Sequence, residues 1–411
     1  MTNKWNKLKI KDFANASSER NQGDNELPVV SVTKYKGIVP SLEYFKKQVY
    51  SKDLSNYKVI KRNQFAYATI HLDEGSIGIL DLYDKALLSP MYTVFEVDES
   101  KASINYLYAL LKSNELLNVY QRLGLGSVDR RKSISFADFG NITITLPPIS
   151  IQHKIGDILS SIDEAIQKTD QIIQKSEELK NGLMNELLTK GIGNKKFKKT
   201  KLGEIPEKWR IISLDEIVEK LEAGVSVNSE DKQIIENEFG ILKTSAVTYG
   251  FFDPRQHKKI IDKDLSRARV QPLIDRVIIS RMNTPLLVGA SAYVDKDYNN
   301  LFLPDRLWQI ELNSNSNVSA KWLSYQFAWL PTLSRIRELA SGTSASMKNI
   351  SKQKLLTLEI AIPPYQEQIR ITEILQSVDS KNKTEKIQMN ALKRIKDGLM
   401  HDIFHQKVQI N

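Results

Sequence analysis

A duplicated block that opens with two prolines constrains the fold of this chain more than any other feature of its sequence. Pro147-Pro148 and Pro363-Pro364 are 216 residues apart (363 − 147), and each pair precedes about forty residues with a helical apolar pattern. Nothing is inserted or deleted within the block, so two helices of equal length and phase are predicted, each starting after its prolines. At this offset the second copy repeats the following residues of the first: Gln152, Ile155, Ile158, Leu159, Ser161, Asp163, Lys180, Gly182, Leu183 and Met184.

The apolar residues of the first copy predict a helix that pairs along one narrow seam. Their spacing alternates between four and three residues, a 3.5-residue period typical of a left-handed coiled coil. At ~1.5 Å per residue the helix would be about 55–60 Å long, and it would not be stable without a partner helix. We therefore expect the two helices to pack antiparallel as a spacer. The predicted seam of the first helix consists of Ile151, Ile155, Ile158, Ile162, Ala165, Thr169, Ile172, Ser176, Leu179 and Leu183.

The segments that precede the two helices predict two similar globular domains. Trp5 and Leu8 return as Trp209 and Ile212 at an offset of 204 (209 − 5), and in each segment strand patterns are followed by helix patterns. The predicted fold class is α+β: two similar α/β domains are separated by two long antiparallel helices that form a coiled coil, with an internal pseudo-twofold repeat. The predicted boundaries are 1–149 for the first globular domain, 150–189 for the central helix, 190–202 for an exposed basic linker, 203–364 for the second globular domain and 365–411 for the C-terminal helix.

Composition narrows the class of partner. The chain has 411 residues, a formal net charge of +10 and no cysteine. The absence of cysteine excludes disulfides and thiolate metal sites and is compatible with a reducing cytoplasm. The N-terminal residues lack the apolar core of a signal peptide, and no apolar run reaches the ~18–20 residues that span a membrane. We therefore expect a cytoplasmic protein without a membrane partner, and the positive charge favours nucleic acid.

Loops in both globular segments carry the residue types that contact DNA. Hydroxyls and cations follow a glycine turn, aromatic side chains precede glycine turns, and guanidinium, amide or imidazole groups follow strands; all suit phosphate and base-edge contacts. Ordinary polar loops show these residue types singly, so the prediction depends on matched sets in two repeated domains. The predicted DNA-binding residues of the first domain are Arg20, Lys34, Tyr35, Lys36, His71, Ser127, Arg130, Arg131 and Lys132. Those of the second domain are Asn228, Thr244, Ser245, Tyr249, Arg281, Asn283, Thr343, Ser344, Ser346 and Lys348.

No catalytic, cofactor-binding or metal site is predicted in the chain. The Ile-Pro-Pro-Tyr segment at 362–365 is reminiscent of the Asn/Asp-Pro-Pro-Tyr loop of amino-methyltransferases, but Ile362 cannot accept a hydrogen bond from a target amino group. His401 and His405 have the i, i+4 spacing of a zinc-binding pair. The first copy has asparagine and threonine at the equivalent positions, so a solvated helix end is favoured over a metal site.

Two motifs together resemble a known family. The second helix opens with Pro-Pro-Tyr-Gln-Glu-Gln, from Pro363 to Gln368, and the second globular segment opens with Lys-Leu-Gly-Glu-Ile-Pro-Glu-Lys-Trp, from Lys201 to Trp209. With the duplicated layout, these motifs resemble the specificity subunit of type I restriction-modification enzymes over essentially the whole chain. The first helix lacks the glutamate of the motif, and no full Leu-Gly-Glu-Ile-Pro motif precedes Trp5.

The resemblance implies a non-catalytic DNA reader. Each globular domain would be a target-recognition domain for one half of a split, asymmetric sequence in double-stranded DNA. The helices would set the spacer and dock two methyltransferase subunits, which carry S-adenosylmethionine and methylate adenine; restriction subunits that use ATP and Mg²⁺ would complete the complex. No cofactor is expected in this chain itself. The predicted partner-binding helix residues are Gln152, Ile155, Ile162, Leu183, Gln368, Ile371 and Leu399.

An alternative function remains open from the sequence. A coiled-coil assembly protein whose globular domains bind other proteins would have the same helices. Its basic charge would then serve only solubility. The two hypotheses differ in salt dependence, because DNA binding that neutralises several phosphates weakens steeply as salt rises. A stand-alone methyltransferase would require the chain to bind the methyl donor by itself, which we do not expect.

Overall fold

The computed structural model describes residues 5–23, 26–124, 133–342, 346–405 and 407. The chain divides into two compact units: the first unit comprises Met1–Gln171 and Lys386–Asn411, and the second unit is Ile172–Glu385. Two long helices, Ile149–Leu187 and Tyr365–Phe404, directly follow the two proline pairs. Each long helix therefore contributes one half to each unit.

The first unit is built around a four-stranded antiparallel sheet with the strand order Ala14–Ser17, Tyr92–Val97, Phe65–Ala68 and Ile77–Ile79. Three antiparallel pairs accompany it: Asn6–Lys9 with Thr143–Leu146, Val30–Thr33 with Gly37–Pro40, and Lys58–Lys61 with Lys85–Leu88. Its shorter helices are Ser41–Phe45, Ile104–Leu111, Asn114–Gly124 and Phe136–Gly140, with 3₁₀ turns at Ile10–Asp12 and Leu72–Glu74.

Aromatic side chains of this sheet form the core of the first unit. Phe65 and Phe95 stack with ring centroids 5.0 Å apart, as expected for alternating inward-facing strand positions. Both long helices add side chains to the same core: Ile155 and Leu159 from the first and Ile403 from the second are each at most 1% exposed. The helix ends are therefore part of the domain core.

The second unit repeats this topology. Its main antiparallel sheet has the order Val218–Ala223, Leu307–Leu312, Arg276–Ser280 and Ser291–Val294. A second sheet has the order Ser229–Glu230, His257–Ile260, Gly240–Leu242 and Leu301–Phe302. The remaining strand pairs are Phe197–Thr200 with Gly203–Pro206, Arg210–Ser213 with Glu359–Ile362, and Met282–Asn283 with Lys348–Asn349. Its shorter helices are Ala320–Ala328, Leu330–Glu338 and Lys352–Leu356, with 3₁₀ segments at Leu214–Glu216, Thr244–Gly250 and Asp262–Arg267.

The two long helices make the same ion pair in each unit. In the first unit, Lys396 Nζ lies 2.6 Å from Asp163 Oδ2. In the second unit, Lys180 Nζ lies 2.6 Å from Asp379 Oδ1. These are the same pair of positions, because 163 + 216 = 379 and 180 + 216 = 396. The predicted fold class, with its internal repeat, is confirmed.

The predicted seam of the first long helix is wrong in phase at three positions. Ile158, Ile172 and Leu179 are 45%, 42% and 56% exposed, whereas the neighbouring Leu159 and Ile173 are buried. Two adjacent apolar residues at each of the first two places satisfy the 3.5-residue period equally well, so the period alone does not choose between them. At the first place, packing against the core of the first unit buries Leu159.

The predicted exposed linker at 190–202 contains a strand and is tied to the second long helix. Phe197–Thr200 forms a strand paired with Gly203–Pro206. Glu367, from the Pro-Pro-Tyr-Gln-Glu-Gln motif, accepts hydrogen bonds from the Ile192 N–H at 2.9 Å and from Trp209 Nε1 at 3.1 Å. The first copy has isoleucine at the position equivalent to Glu367 (367 − 216 = 151). The glutamate therefore fastens the connecting segment and the tryptophan of the second motif to the second long helix.

Candidate nucleic-acid interface

In the second unit, three of the predicted DNA-binding residues lie together just beyond the C-terminal end of strand Arg276–Ser280. We call this end of the main sheet its edge. Arg281 follows strand Arg276–Ser280, and Asn283 pairs in antiparallel register with Lys348. The Ile350 N–H donates to the Arg281 carbonyl at 2.9 Å, which fixes the two segments side by side. Strand pairing thus brings Lys348 beside the segment that carries Arg281 and Asn283, although Lys348 is far from both in the sequence.

The Arg281 side chain is held in place by its neighbours. Its Nε donates to the Asp305 carbonyl at 2.7 Å, its Nη1 donates to Asn349 Oδ1 at 3.3 Å, and its guanidinium carbon lies 5.6 Å from the Trp308 ring centroid. Ser226 also donates to the Asp305 carboxylate. No sequence pattern predicted these supporting contacts, because they join distant strands.

The other two side chains of this edge are partly exposed. Asn283 Nδ2 donates to Ser280 Oγ at 3.2 Å, and Lys348 Nζ donates to the Gly342 carbonyl at 2.8 Å. Ser346 lies on the same segment and is exposed. An arginine can pair with guanine and an asparagine with adenine in the major groove, while a lysine suits phosphate. The edge therefore offers both base-reading and backbone-positioning chemistry.

The first unit has an equivalent edge. The Ile134 N–H donates to the Thr69 carbonyl at 2.9 Å, in the same relation as Ile350 to Arg281 (134 + 216 = 350). The exposed His71 follows, and its Nδ1 lies 3.2 Å from Glu74 Oε1. The predicted residues Ser127, Arg130, Arg131 and Lys132, and Thr343 and Ser344 of the second unit, lie outside the described residues.

A hairpin turn of the first unit carries the predicted residues Lys34, Tyr35 and Lys36. All three are exposed, Tyr35 to 81%, and Lys34 Nζ lies 5.3 Å from the Tyr35 ring centroid. The turn ends at Gly37, whose φ of 62° disfavours any residue with a Cβ. An exposed aromatic ring between two ammonium groups suits stacking and phosphate contacts.

The remaining predicted residues have mixed environments. Arg20 is exposed, and its Nη1 donates to the Asn56 carbonyl at 3.3 Å. Asn228 donates through both its backbone N–H (3.0 Å) and its Nδ2 (2.6 Å) to Asp264 Oδ2; these bonds hold the pKa of that carboxyl below its ordinary value. The Asn228 side chain thus already serves as a structural anchor.

The 3₁₀ segment Thr244–Gly250 contains three further predicted residues of the second unit. Thr244 is half-buried. Ser245 is exposed, and its hydroxyl donates to Gln256 Oε1 at 3.0 Å. The backbone of this segment also carries Tyr249. Of these residues, Ser245 offers an accessible polar group on the surface.

In the first unit, the predicted partner-binding residue Gln152 is buried in the chain itself. Its Oε1 accepts from the Ser103 N–H at 2.9 Å, and its Nε2 donates to the carbonyls of Pro147 (2.9 Å) and Lys101 (3.2 Å). The side chain is 1% exposed. It ties the start of the first long helix to the loop before helix Ile104–Leu111.

The second unit repeats this arrangement atom for atom. Gln368 Oε1 accepts from the Ser319 N–H at 2.9 Å, and Nε2 donates to the carbonyls of Pro363 (2.9 Å) and Asn317 (3.0 Å). Gln368 is fully buried. We call these two sets of hydrogen bonds, around Gln152 and around Gln368, the glutamine clamps.

The other predicted partner-binding residues also face inwards. Ile155 and Ile371 are buried in the domain cores, and Ile162, Leu183 and Leu399 are half-buried. Ile155 and Leu399 pack against the core of the first unit, and Ile371 and Leu183 pack against the core of the second. The exposed apolar residues of the first long helix are Ile158, Ile172 and Leu179, which the sequence pattern had assigned to the seam.

Charged groups accompany the helix contact in the first unit. Near the Asp163–Lys396 pair lies Lys112, whose Nζ donates to the Lys34 carbonyl at 3.0 Å. Burial lowers the pKa of Lys112 from its ordinary 10.5 to about 8; the Lys396 ammonium adds to this effect and the Asp163 carboxylate opposes it. The ammonium of Lys112 therefore titrates under mildly alkaline conditions.

Two α/β domains of one topology, each followed by a long helix, define an internally duplicated α+β protein. The family model for the type I restriction modification DNA specificity domain matches residues 2–178 and 206–394, and the chain belongs to this family. The resemblance noted from the two sequence motifs is confirmed: the chain is a type I specificity subunit with two DNA target-recognition domains. The alternative of an assembly protein with protein-binding heads has no support from this match.

Similar proteins span most of the chain. The type I restriction enzyme MjaVIII specificity subunit of Methanocaldococcus jannaschii is 26% identical over 341 residues, covering 82% of this chain and 78% of that protein. The putative MjaX specificity subunit of the same organism is 23% identical over 373 residues, covering 87% and 81%. Both relatives align with both halves of the duplicated layout.

Solved structures show the same fold. The crystal structure of a type I restriction-modification S subunit from M. genitalium has a TM-score of 0.62 at 16% identity and covers 100% of this chain and 98% of that one. A chain from a structure concerning complex assembly and conformational transition of the type I R-M system has a TM-score of 0.51 at 18% identity, with 97% of each chain covered. Within the described ranges, no helix is long and apolar enough to cross a membrane.

Proposed function

We propose that each globular domain reads one half of a bipartite, asymmetric sequence in double-stranded DNA. The observation that carries the proposal is the duplicated edge, where the N–H of Ile134 or Ile350 donates to the carbonyl of the residue that follows the third strand of the sheet, Thr69 or Arg281. The same backbone scaffold carries different side chains in the two units. Two different readers on equivalent scaffolds would recognise two different half-sequences.

The chemistry of the second edge supports base recognition. Arg281 is braced by Asp305 and Asn349, so less side-chain entropy is lost when it meets a base. Its guanidinium would pair with a guanine, Asn283 with an adenine, and Lys348 with a phosphate. In the first unit, His71 and the Lys34–Lys36 turn would serve the other half-sequence.

The proposed partners are methyltransferase and restriction subunits, which would carry S-adenosylmethionine, ATP and Mg²⁺, while this chain performs no catalysis. Exposed apolar side chains on the long helices support docking. Ile158 and Leu179 of the first helix are equivalent to the exposed Ile374 and Ile395 of the second (158 + 216 = 374; 179 + 216 = 395). Each unit thus carries two equivalent exposed apolar residues, which suits two copies of one partner.

Exchange of one domain tests the proposal. Residues 1–149 would be replaced by the corresponding segment of another type I specificity subunit, and the methylated sites would be mapped in DNA from cells that express the whole system. We expect one half of the methylated sequence to change and the other to remain. A change in both halves would refute separate reading by the two domains.

A salt titration tests the DNA contact itself. Binding of the assembled methyltransferase to its mapped site should weaken steeply between 50 and 200 mM salt, by about 10³-fold or more for six or more neutralised phosphates. Salt-independent binding would contradict the proposed contacts from the lysine and arginine side chains.

A further inference from the structure

Two histidines and one glutamate meet in the first unit at the end of the second long helix. His401 and His405 lie one turn apart with ring centroids 4.2 Å apart, and His405 Nδ1 lies 3.6 Å from Oε1 of Glu115. One ligand atom from each of the three residues lies within 4.8 Å of the other two. We propose that Glu115, His401 and His405 bind a divalent transition-metal ion, with Zn²⁺ as the best match.

The three ligand atoms need to move only a little closer together to bind a zinc ion. Bonds of about 2.0–2.1 Å in a tetrahedral zinc site place ligand atoms about 3.3 Å apart. Both histidines are exposed and Glu115 is half-buried, so their side chains can rotate without disturbing the core. A water molecule would complete the coordination. Two imidazoles with one carboxylate favour Zn²⁺, Co²⁺, Ni²⁺ or Cu²⁺, whereas Mg²⁺ and Ca²⁺ require mainly oxygen ligands.

His405 Nδ1 donates to the His401 carbonyl at 2.8 Å, so His405 would bind a metal through Nε2. Lys407 Nζ lies 2.8 Å from His401 Nε2 and 3.9 Å from Asp402 Oδ1. An ammonium can only donate, so His401 Nε2 accepts in this contact and is the unprotonated nitrogen that a metal needs. A metal ion would displace the lysine, and the nearby carboxylates of Glu115 and Asp402 would favour its positive charge.

The third ligand was not detectable from the sequence. Glu115 lies in the first turn of helix Asn114–Gly124, far from the histidine pair along the chain. The position equivalent to Glu115 in the second unit is Pro331 (115 + 216 = 331), and asparagine and threonine replace the histidines there. Asn185 instead accepts a hydrogen bond from Trp329 Nε1 at 2.7 Å. The site therefore occurs in one copy of the repeat.

Metal binding would join the last turn of the second long helix to helix Asn114–Gly124. This helix end already packs into the first unit, because Ile403 is 1% exposed and Phe404 meets Tyr106 edge to face at 5.9 Å. The bound metal would thus reinforce an existing contact. Its expected effect is on the stability of the first unit, which can be measured without any activity.

The test uses the full chain, purified without a histidine tag and stripped with a chelator. Calorimetric titration with Zn²⁺ should show one site per chain, Co²⁺ should give the visible absorption of a tetrahedral complex, and Zn²⁺ should raise the melting temperature. Glu115→Gln, His401→Asn and His405→Thr should each weaken binding at least tenfold, since even residues that only orient metal ligands contribute that much. His71→Asn and His153→Asn are matched controls that should bind as the wild type does.

Three results would overturn the proposal. The first is Zn²⁺ affinity that is equal in the wild type and in the double variant His401→Asn/His405→Thr. The second is full affinity in Glu115→Gln, which would leave only a histidine pair. The third is loss of binding in either control. The asparagine and threonine already occur at the equivalent helix positions of the first copy, so the variants are expected to fold, and far-UV circular dichroism would verify this.

Discussion

The glutamine clamps predict a large and equal stability loss in the two units. Replacing Gln368 with alanine removes three hydrogen bonds of 2.9–3.0 Å and leaves the Ser319 N–H and the Pro363 and Asn317 carbonyls without that partner inside the protein. Gln152→Ala would do the same in the first unit. Because the donors and acceptors match position by position, the two losses should be nearly equal.

The expected magnitude follows from the number of bonds. A hydrogen bond contributes about 0.5–1.5 kcal/mol net, so three lost bonds correspond to about 3 kcal/mol. Unpaired buried groups and the small cavity left by the shorter side chain add to this value. A loss of about 3 kcal/mol is a large fraction of the ~5–15 kcal/mol that stabilises an ordinary domain.

Urea unfolding followed by circular dichroism measures the effect, with each unit expected to unfold in its own transition. Gln366→Ala is the matched control, because Gln366 is exposed two residues earlier on the same helix and should change stability by less than about 0.5 kcal/mol. A loss below about 1 kcal/mol for both clamp variants would refute the hydrogen-bond argument. A loss in one variant alone would refute the equivalence of the two clamps.

Four further variants test charged groups. Arg281→Ala should cost about 1–3 kcal/mol of DNA binding and relax one base position of the second half-sequence, whereas Lys348→Ala should weaken binding to all sequences and lower the salt slope by about 1. Asp163→Asn should destabilise the first unit by about 0.5–1 kcal/mol, because its partner Lys396 is partly solvated. Between pH 8 and 10.5 the unfolded chain binds more protons at Lys112 than the folded chain, so stability should rise with pH through this window, and Lys112→Met should remove that rise.

Each of these predictions has a result that contradicts it. Methylation mapping of the Arg281 variant should show additional methylated sites that differ at one base position. An unchanged set of methylated sites would show that Arg281 does not read a base. The double variant Asp163→Lys/Lys396→Asp, which exchanges the two charges, should recover stability in urea unfolding. If stability is not recovered, the ion pair does not stabilise the first unit. Equal pH slopes in the wild type and in Lys112→Met would contradict the lowered pKa of Lys112.

The sequence by itself determined the duplicated plan of this protein. The proline pairs mark where both long helices begin, since proline ends the preceding strand, and the fixed offset of 216 residues predicted two equal copies. Both signals are local or periodic, so they can be read without knowledge of the fold. The family motifs indicated the function for the same reason, because they are short local patterns in the sequence.

Tertiary structure alone decided which side chains meet. At Ile158-Leu159 both residues satisfy the helical period, and packing against the first domain buries only the second. Arg281 and Lys348 come together because strands pair across the second unit, and Glu115 joins His401 because two helix ends pack on one core. Such contacts depend on long-range burial and strand register, which the order of residues along the chain does not reveal.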